Sequence, residues 1–151
     1  MRRSTAAATM VGALLLGATF VAIAATPEQT IADRRAGYKH MGHNFKAMKE
    51  ALESGADVKP LAPKAAEIVT WAKEIPTMFP PGTEKGGGTH AKPAVWTDRA
   101  EFDKLAEKLL QNAEKLESVA ATGDKAAFAA QFKATGAVCG ECHKTYRYKL
   151  S

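Results

Sequence analysis

Only two cysteines occur in the 151 residues, and they stand three apart as Cys139 and Cys142. A pair so close cannot close a long loop, which excludes a secreted scaffold stapled by disulfides. No stretch alternates apolar and polar residues convincingly enough to predict a strand. Lysine and arginine form no stripe, and the balance of 21 basic against 16 acidic residues is only mildly basic. Nucleic-acid binding is therefore not indicated. A hydrolytic triad, a Gly-rich phosphate loop and a constellation of paired carboxylates are all missing, so the chain does not read as an enzyme. What it does contain is an apolar N-terminus, four helical patterns and one short motif near the C-terminus.

The N-terminus has the form of a secretory signal. Arg2 and Arg3 make a basic start, and residues 6–25 are apolar apart from Thr9 and Thr19. Ala22-Ile23-Ala24 is a suitable cleavage site. An uncleaved anchor is the competing reading, since twenty small or apolar residues nearly span a bilayer. The many Ala and Gly residues and the well-formed processing site favour cleavage. Ser4-Thr5-Ala6 lacks the apolar follow-up of a twin-arginine signal, so export of the unfolded chain is expected. Loss of residues 1–24 removes two basic residues and no acidic one, leaving 127 residues at a net charge of +3. That is one domain with one core and no membrane segment.

The first helix is predicted from Thr26 to Ser54. Thr26 and Gln29 form a capping box, Pro27 suits the first helical position, and Ser54-Gly55 ends the run. Ile31, Arg34, Tyr38, Met41, Phe45, Met48 and Leu52 recur at three- and four-residue steps, giving one inward stripe. The second helix spans Ala62 to Ile75 and stops before Pro76. Ala65, Ile68, Val69 and Ala72 mark its buried face, with Trp71 at the edge. Residues 76–97 form a long irregular connection anchored by Met78, Phe79, Val95 and Trp96. Its glycine-rich centre, residues 86–88, is expected to be mobile.

The third helix starts at Asp98, capped with Glu101, and runs to Ala121. Phe102, Leu105, Leu109, Ala113, Leu116, Val119 and Ala120 give it a clean apolar stripe. Thr122-Gly123 turns the chain into a fourth helix from Asp124 to Tyr148, with Phe128, Phe132, Thr135, Cys139, Cys142 and Tyr146 on one face. Short connections make antiparallel neighbours. The expected fold is all-α: an antiparallel four-helix bundle over residues 25–151, with a long loop between the second and third helices.

Cys139-Gly140-Glu141-Cys142-His143 contains all the sulfur chemistry of the cysteines. A C-x-x-C-H run reads as covalent haem attachment, with two thioethers to the porphyrin and the imidazole on iron. A zinc site needs about four ligands and would have to recruit His40, His43 or His90. The adjacent Cys142-His143 pair is awkward spacing for that. A thioredoxin-like dithiol belongs at a helix N-terminus after a strand, where the dipole lowers the thiol pKa. Here the motif lies near a helix C-terminus and no strand precedes it. One covalently bound haem c per chain is expected, with His143 as the metal ligand.

Further residues sharpen this. The chain has an arginine-rich first helix, the stretch Phe79-Pro80-Pro81-Gly82-Thr83, and Trp96 before the third helix. Cys139 to Arg147 fits C-x-x-C-H-x-x-[Tyr/Phe]-[Arg/Lys]. Across the mature chain the sequence resembles the cytochrome c′ family of exported four-helix haem proteins. The resemblance implies that His143 is the proximal iron ligand and Arg147 the basic side chain beside it. It places Arg34 near a haem propionate, which agrees with the need of an arginine on an apolar stripe for an anion. It makes Tyr38 the distal residue, where six-coordinate c556-type relatives carry Met, and so implies five-coordinate iron in a crowded pocket. The expected function is a periplasmic haem protein that binds nitric oxide or carbon monoxide, carries electrons, or both. The implied partners are those gases, a redox protein and a second copy packed through the first two helices. The alternative is a c556-like electron carrier, with Met41 presented to the iron by a small helix rotation. His40 and His43 fall off the main stripe, at surface or interface positions.

Overall fold

The computed structural model describes residues 25–149. The signal sequence read in residues 1–24 lies outside the described residues. Five helices follow in order: α1 Pro27–Ser54, α2 Ala62–Glu74, the single turn α3 Ala94–Thr97, α4 Arg99–Thr122 and α5 Lys125–Tyr146. The four long ones form the expected bundle, and the described residues contain only an isolated antiparallel bridge, Ala91 with Arg147.

The helix ends follow local chemistry. Thr26 caps α1 by accepting from the Gln29 backbone N–H at 3.2 Å. The reciprocal arm of the predicted box is not made, because the Gln29 amide donates instead to Asp33 at 2.7 Å. At the far end Gly55 turns left-handed and its N–H returns to the carbonyls of Ala51 and Leu52. Asp98 sits at the N-cap of α4 but makes no capping bond. Its carboxylate is engaged by the Tyr146 hydroxyl, which donates to it at 3.0 Å. Asp124 does cap α5, accepting from Ala127.

The core runs between α2, α4 and α5. Ala65, Ile68, Val69 and Ala72 face Phe102, Ala106, Leu109, Ala113, Leu116 and Ala120 of α4, all buried. Phe128 and Val138 complete it from α5. Each large side chain withdrawn from water here contributes about 1.5–3 kcal/mol. On α4 the predicted Leu105 and Val119 are only half-buried, while Ala106 lies inside.

On α1 the predicted Ile31, Arg34, Met41 and Met48 are buried, joined by Gly37 and Asn44, while Tyr38 and Phe45 of the same stripe line a cavity on its inner side. Gly37 sets how close the next helix lies. A Cβ there would fall 2.5 Å from the Trp71 ring, so only glycine lets α2 come this close. Asn44 is pulled inward by its bond to Glu67 at 2.6 Å. Helix α1 thus leans on α2, makes few contacts with α5, and leaves a gap toward α4 and α5.

The connection between α2 and α4 is packed across the domain. It opens with a 3-10 turn, Ile75–Met78, which absorbs Pro76. Phe79, Thr83 and Val95 are buried. A herringbone of rings ties it to the helices: Phe79 lies edge-on to Trp96 and to Phe102, and Phe102 edge-on to Tyr146. The glycine-rich centre lies directly on α1, with a Cβ at Gly87 only 2.7 Å from Ile31. Its last residues pair with the chain end, Lys92 N–H donating to Tyr146 and Tyr148 N–H to His90.

Candidate functional site

The gap between α1 and the α4–α5 pair is a cavity of about 690 Å³. Ile68, Ile75, Phe79, Val95, Phe102, Leu105 and Leu109 give it apolar walls. From α5 come Cys139, Cys142 and His143, from α1 Arg34, Tyr38 and Met41, and from the chain end Arg147. The six site residues expected from the sequence, and the alternative ligand Met41, therefore meet in one cavity. Its volume lies in the range of cofactor pockets, and its polar groups are few and clustered.

Cys139 and Cys142 are free, half-buried thiols. Burial raises both above the ordinary thiol value, Cys142 to about 11 with the neighbouring Cys139 adding to the effect. A redox dithiol needs the opposite shift. Nor does a zinc site form: among the described residues no three His, Cys, Asp or Glu side chains cluster for a metal. His40 instead contacts Glu67 on α2 at 2.7 Å, and His43 is exposed. The thiols are thus placed as protonated groups facing an apolar cavity, with an imidazole beside them. The donor set and the shape both fit a porphyrin anchored by sulfur.

Burial first, and the Arg147 charge second, lower the His143 pKa. The imidazole is held neutral, the form that ligates a metal. Arg147 is not on the helix with His143, as the sequence suggested. Helix α5 ends at Tyr146, and Arg147 is extended at φ −125° and ψ 135°. The bridge to Ala91 accounts for this, because the loop pairs with the chain end and stops the helix.

Tyr38 lines the cavity, and the surface it retains belongs to that wall. Burial raises its pKa, with Cys142 adding to the effect, so the phenol stays neutral. Met41 is nearly buried in the same wall, so both distal candidates reach the cavity.

Arg34 is held by the loop between α2 and α4. It is 3% exposed and has no carboxylate partner. Nη1 donates to the Met78 carbonyl at 3.2 Å and to the Thr83 hydroxyl at 2.9 Å. Nη2 donates to the Thr83 carbonyl at 2.8 Å and to the Thr89 hydroxyl at 2.6 Å. The Phe79 ring lies under the guanidinium, 4.5 Å away. Arg34 lines the cavity, yet its terminal nitrogens are spent on the loop. Sequence reading marked Thr83 only as part of the stretch from Phe79, without a role, and missed Thr89; the signal for both roles was that a stripe arginine without an acid needs oxygens from elsewhere.

A four-helix bundle with a sulfur-flanked imidazole in a large apolar cavity defines a c-type haem protein of the bundle class. The cytochrome C' family model matches residues 29–147. Cytochrome c′ of Rubrivivax gelatinosus is 35% identical over 125 residues, covering 82% of this chain and 97% of that protein. A cytochrome c-556 of Agrobacterium tumefaciens (strain II Chrys) is 37% identical over 113 residues, 74% of this chain and 90% of that one. Among solved structures, a cytochrome c′ with ligand-controlled dimer dissociation superposes with a TM-score of 0.80 at 33% identity. It matches over 84% of this chain and all of its own. The nitric oxide complex of an L16V cytochrome c prime from Alcaligenes xylosoxidans gives 0.75 at 29% identity, over 84% of this chain and 100% of that one. The chain belongs to the cytochrome c′ family, and its cofactor is covalently bound haem c.

Proposed function

We propose that this chain is a periplasmic haem protein with five-coordinate iron that binds nitric oxide or carbon monoxide, and that it is also able to carry electrons. The supporting observation is the single cavity that joins Cys139, Cys142 and His143 on α5 with Tyr38 on α1. When bound, the haem would supply an iron able to change oxidation state and to take a small ligand. In this reading Cys139 and Cys142 would hold the porphyrin by thioethers and His143 would ligate the iron. Burial, and second the Arg147 charge, favour the unprotonated imidazole. Tyr38, neutral and bulky, covers the distal side and makes way only for small uncharged ligands. The dimer of the related cytochrome c′ supports a homodimer here.

Absorption and electron paramagnetic resonance spectra of the ferric and ferrous protein, with and without nitric oxide, test this. A high-spin resting haem that takes up nitric oxide is expected. A low-spin haem in both oxidation states refutes it.

A second reading, a six-coordinate c556-like electron carrier, draws on one observation: Met41 lies in the same wall as Tyr38. It requires a low-spin spectrum that is lost in Met41→Leu.

A further inference from the structure

The large cavity is bordered by charge of one sign. Arg34, Arg35, Lys39 and Arg147 line it, and among the described residues no Asp or Glu does. None of these four cations joins an ion pair among the described residues. A haem is apolar except for its two propionate carboxylates, and an ionised carboxylate left unpaired against an apolar wall is costly. The cavity therefore has to supply cations at the edge where those carboxylates leave the walls.

Two of the four cations are already engaged. The terminal nitrogens of Arg34 donate to Met78, Thr83 and Thr89. Arg147 follows His143 by one turn's worth of chain, and its charge acts on that imidazole. Arg35 is different. It is exposed, and Lys39 lies one turn further along the same helix. Its guanidinium rests on the backbone of the glycine run. Nη1 donates to the Gly87 carbonyl at 2.7 Å. A Cβ on Gly88, whose φ is +69°, would stand 2.8 Å from Nη1 and 3.3 Å from Nη2, so a bare backbone is what admits the group. The loop that Arg34 ties down is thus the surface on which Arg35 lies. Nε and Nη2 of Arg35 keep no protein partner among the described residues. A fork already oriented by one bond loses less entropy when it takes a carboxylate.

We infer that Arg35, with Lys39 beside it, is the propionate anchor of this chain, and that the glycine run 86–88 is the platform that orients it. This anchoring needs only the haem, whichever ligand the iron takes. A low-spin spectrum, which refutes the gas-binding reading, leaves it standing.

A crystal structure of the haem-loaded protein tests it directly. A haem carboxylate on the free nitrogens of Arg35 is expected, with the bonds of Arg34 to the loop unchanged. Both carboxylates lying away from Arg35 overturn the anchor. In solution, isotope labelling of the haem carboxyl carbons reports their pKa values by nuclear magnetic resonance of the reduced protein. Arg35→Gln should raise one of them by about one pH unit, the roughly tenfold change expected when a charge-assisted bond is lost. Arg35→Lys keeps the charge without the fork and should raise it by less. Gly88→Ala retains Arg35 but pushes its guanidinium off the loop, and should raise the same pKa. Carboxyl carbons that titrate alike in wild type and Arg35→Gln overturn the anchor. A Gly88→Ala protein that titrates as wild type overturns the platform.

Discussion

Arg34→Ala should destabilise this protein more than any surface substitution, and the loss should be felt in the loop. Four hydrogen bonds from one buried guanidinium hold Met78, Thr83 and Thr89. Bonds from a charged donor contribute about 1.5–3 kcal/mol each, so the gross loss is about 6–12 kcal/mol. Two effects reduce it. Met78 and Thr89 are only half-buried, so water replaces part of what they lose. The variant also no longer removes a guanidinium from water on folding, a cost of several kcal/mol. Loss of the cation–π contact with Phe79 adds about 1 kcal/mol back. The net expectation is about 3–5 kcal/mol, a large fraction of the ~5–15 kcal/mol that stabilises a domain.

Urea unfolding of the haem-loaded protein, followed by far-ultraviolet circular dichroism, reads this directly. With a slope of about 2 kcal/mol/M the midpoint should fall by about 2 M. Arg34→Lys keeps the charge but not the fork, and should lose roughly half as much. Amide exchange of residues 78–89 should accelerate in both variants. A midpoint shift below about 0.5 M, or a change confined to the haem spectrum with loop exchange intact, would refute the clamp. Arg34 would then serve an anion in the cavity, as the sequence alone suggested.

Gly37→Ala sets an overpacking cost of about 1–3 kcal/mol at the Trp71 ring against a helix-propensity gain of about 1 kcal/mol. Its Tm should fall by a few degrees, and an unchanged Tm would mean that the helices separate freely. Burial, with the bond to Asp98, raises the Tyr146 pKa to about 12. The folded state therefore keeps this proton longer than the unfolded chain, and the stability it contributes is complete below pH 10. That contribution is lost as pH rises from about 10 toward 12. Unfolding midpoints measured across that window should decline in wild type and decline less in Tyr146→Phe; equal slopes would refute the assignment. Cys139→Ser should leave haem held by Cys142 alone, so that acid–acetone extraction yields a single-thioether species by mass spectrometry; unchanged attachment would remove Cys139 from the anchor.

The bundle was legible because its signals are periodic and local. Ala65, Ile68, Val69 and Ala72 repeat on one helical face, and a face that must leave water needs no knowledge of its partner. The cysteines and His143 were legible for the same reason: they are neighbours in sequence, and helical geometry alone turns them to one side. Arg147 was misplaced onto the helix because what ends α5 is a pairing with Ala91, 56 residues earlier in the chain. Asp98 was expected to cap α4, yet Tyr146 reaches it from another helix. A local rule fails where a distant group competes for the same atom.

The distal wall shows the limit most clearly. Tyr38 and Met41 both belong to the apolar stripe, so periodicity placed them inward together. Both line the cavity; how each sits in that wall depends on how α1 lies against α2, and that seating is shaped by residues that carry no hydrophobic signal. Gly37 contributes by having no side chain, letting Trp71 lie against the helix. Asn44 contributes by bonding Glu67 from an otherwise apolar face. A stripe computed from hydrophobicity scores the first as neutral and the second as an error. The seating of α1 against α2 is thus set by an absent side chain and a buried amide, and in the gas-binding reading substitutions at Gly37 or Asn44 should alter carbon monoxide association without touching the wall of the large cavity. Asn44→Leu, which keeps the volume and removes the bond to Glu67, is the sharper of the two. It should change carbon monoxide association while leaving the Cys139, Cys142 and His143 attachment intact. Unchanged association kinetics would mean that the seating of α1 is held by the apolar contacts alone.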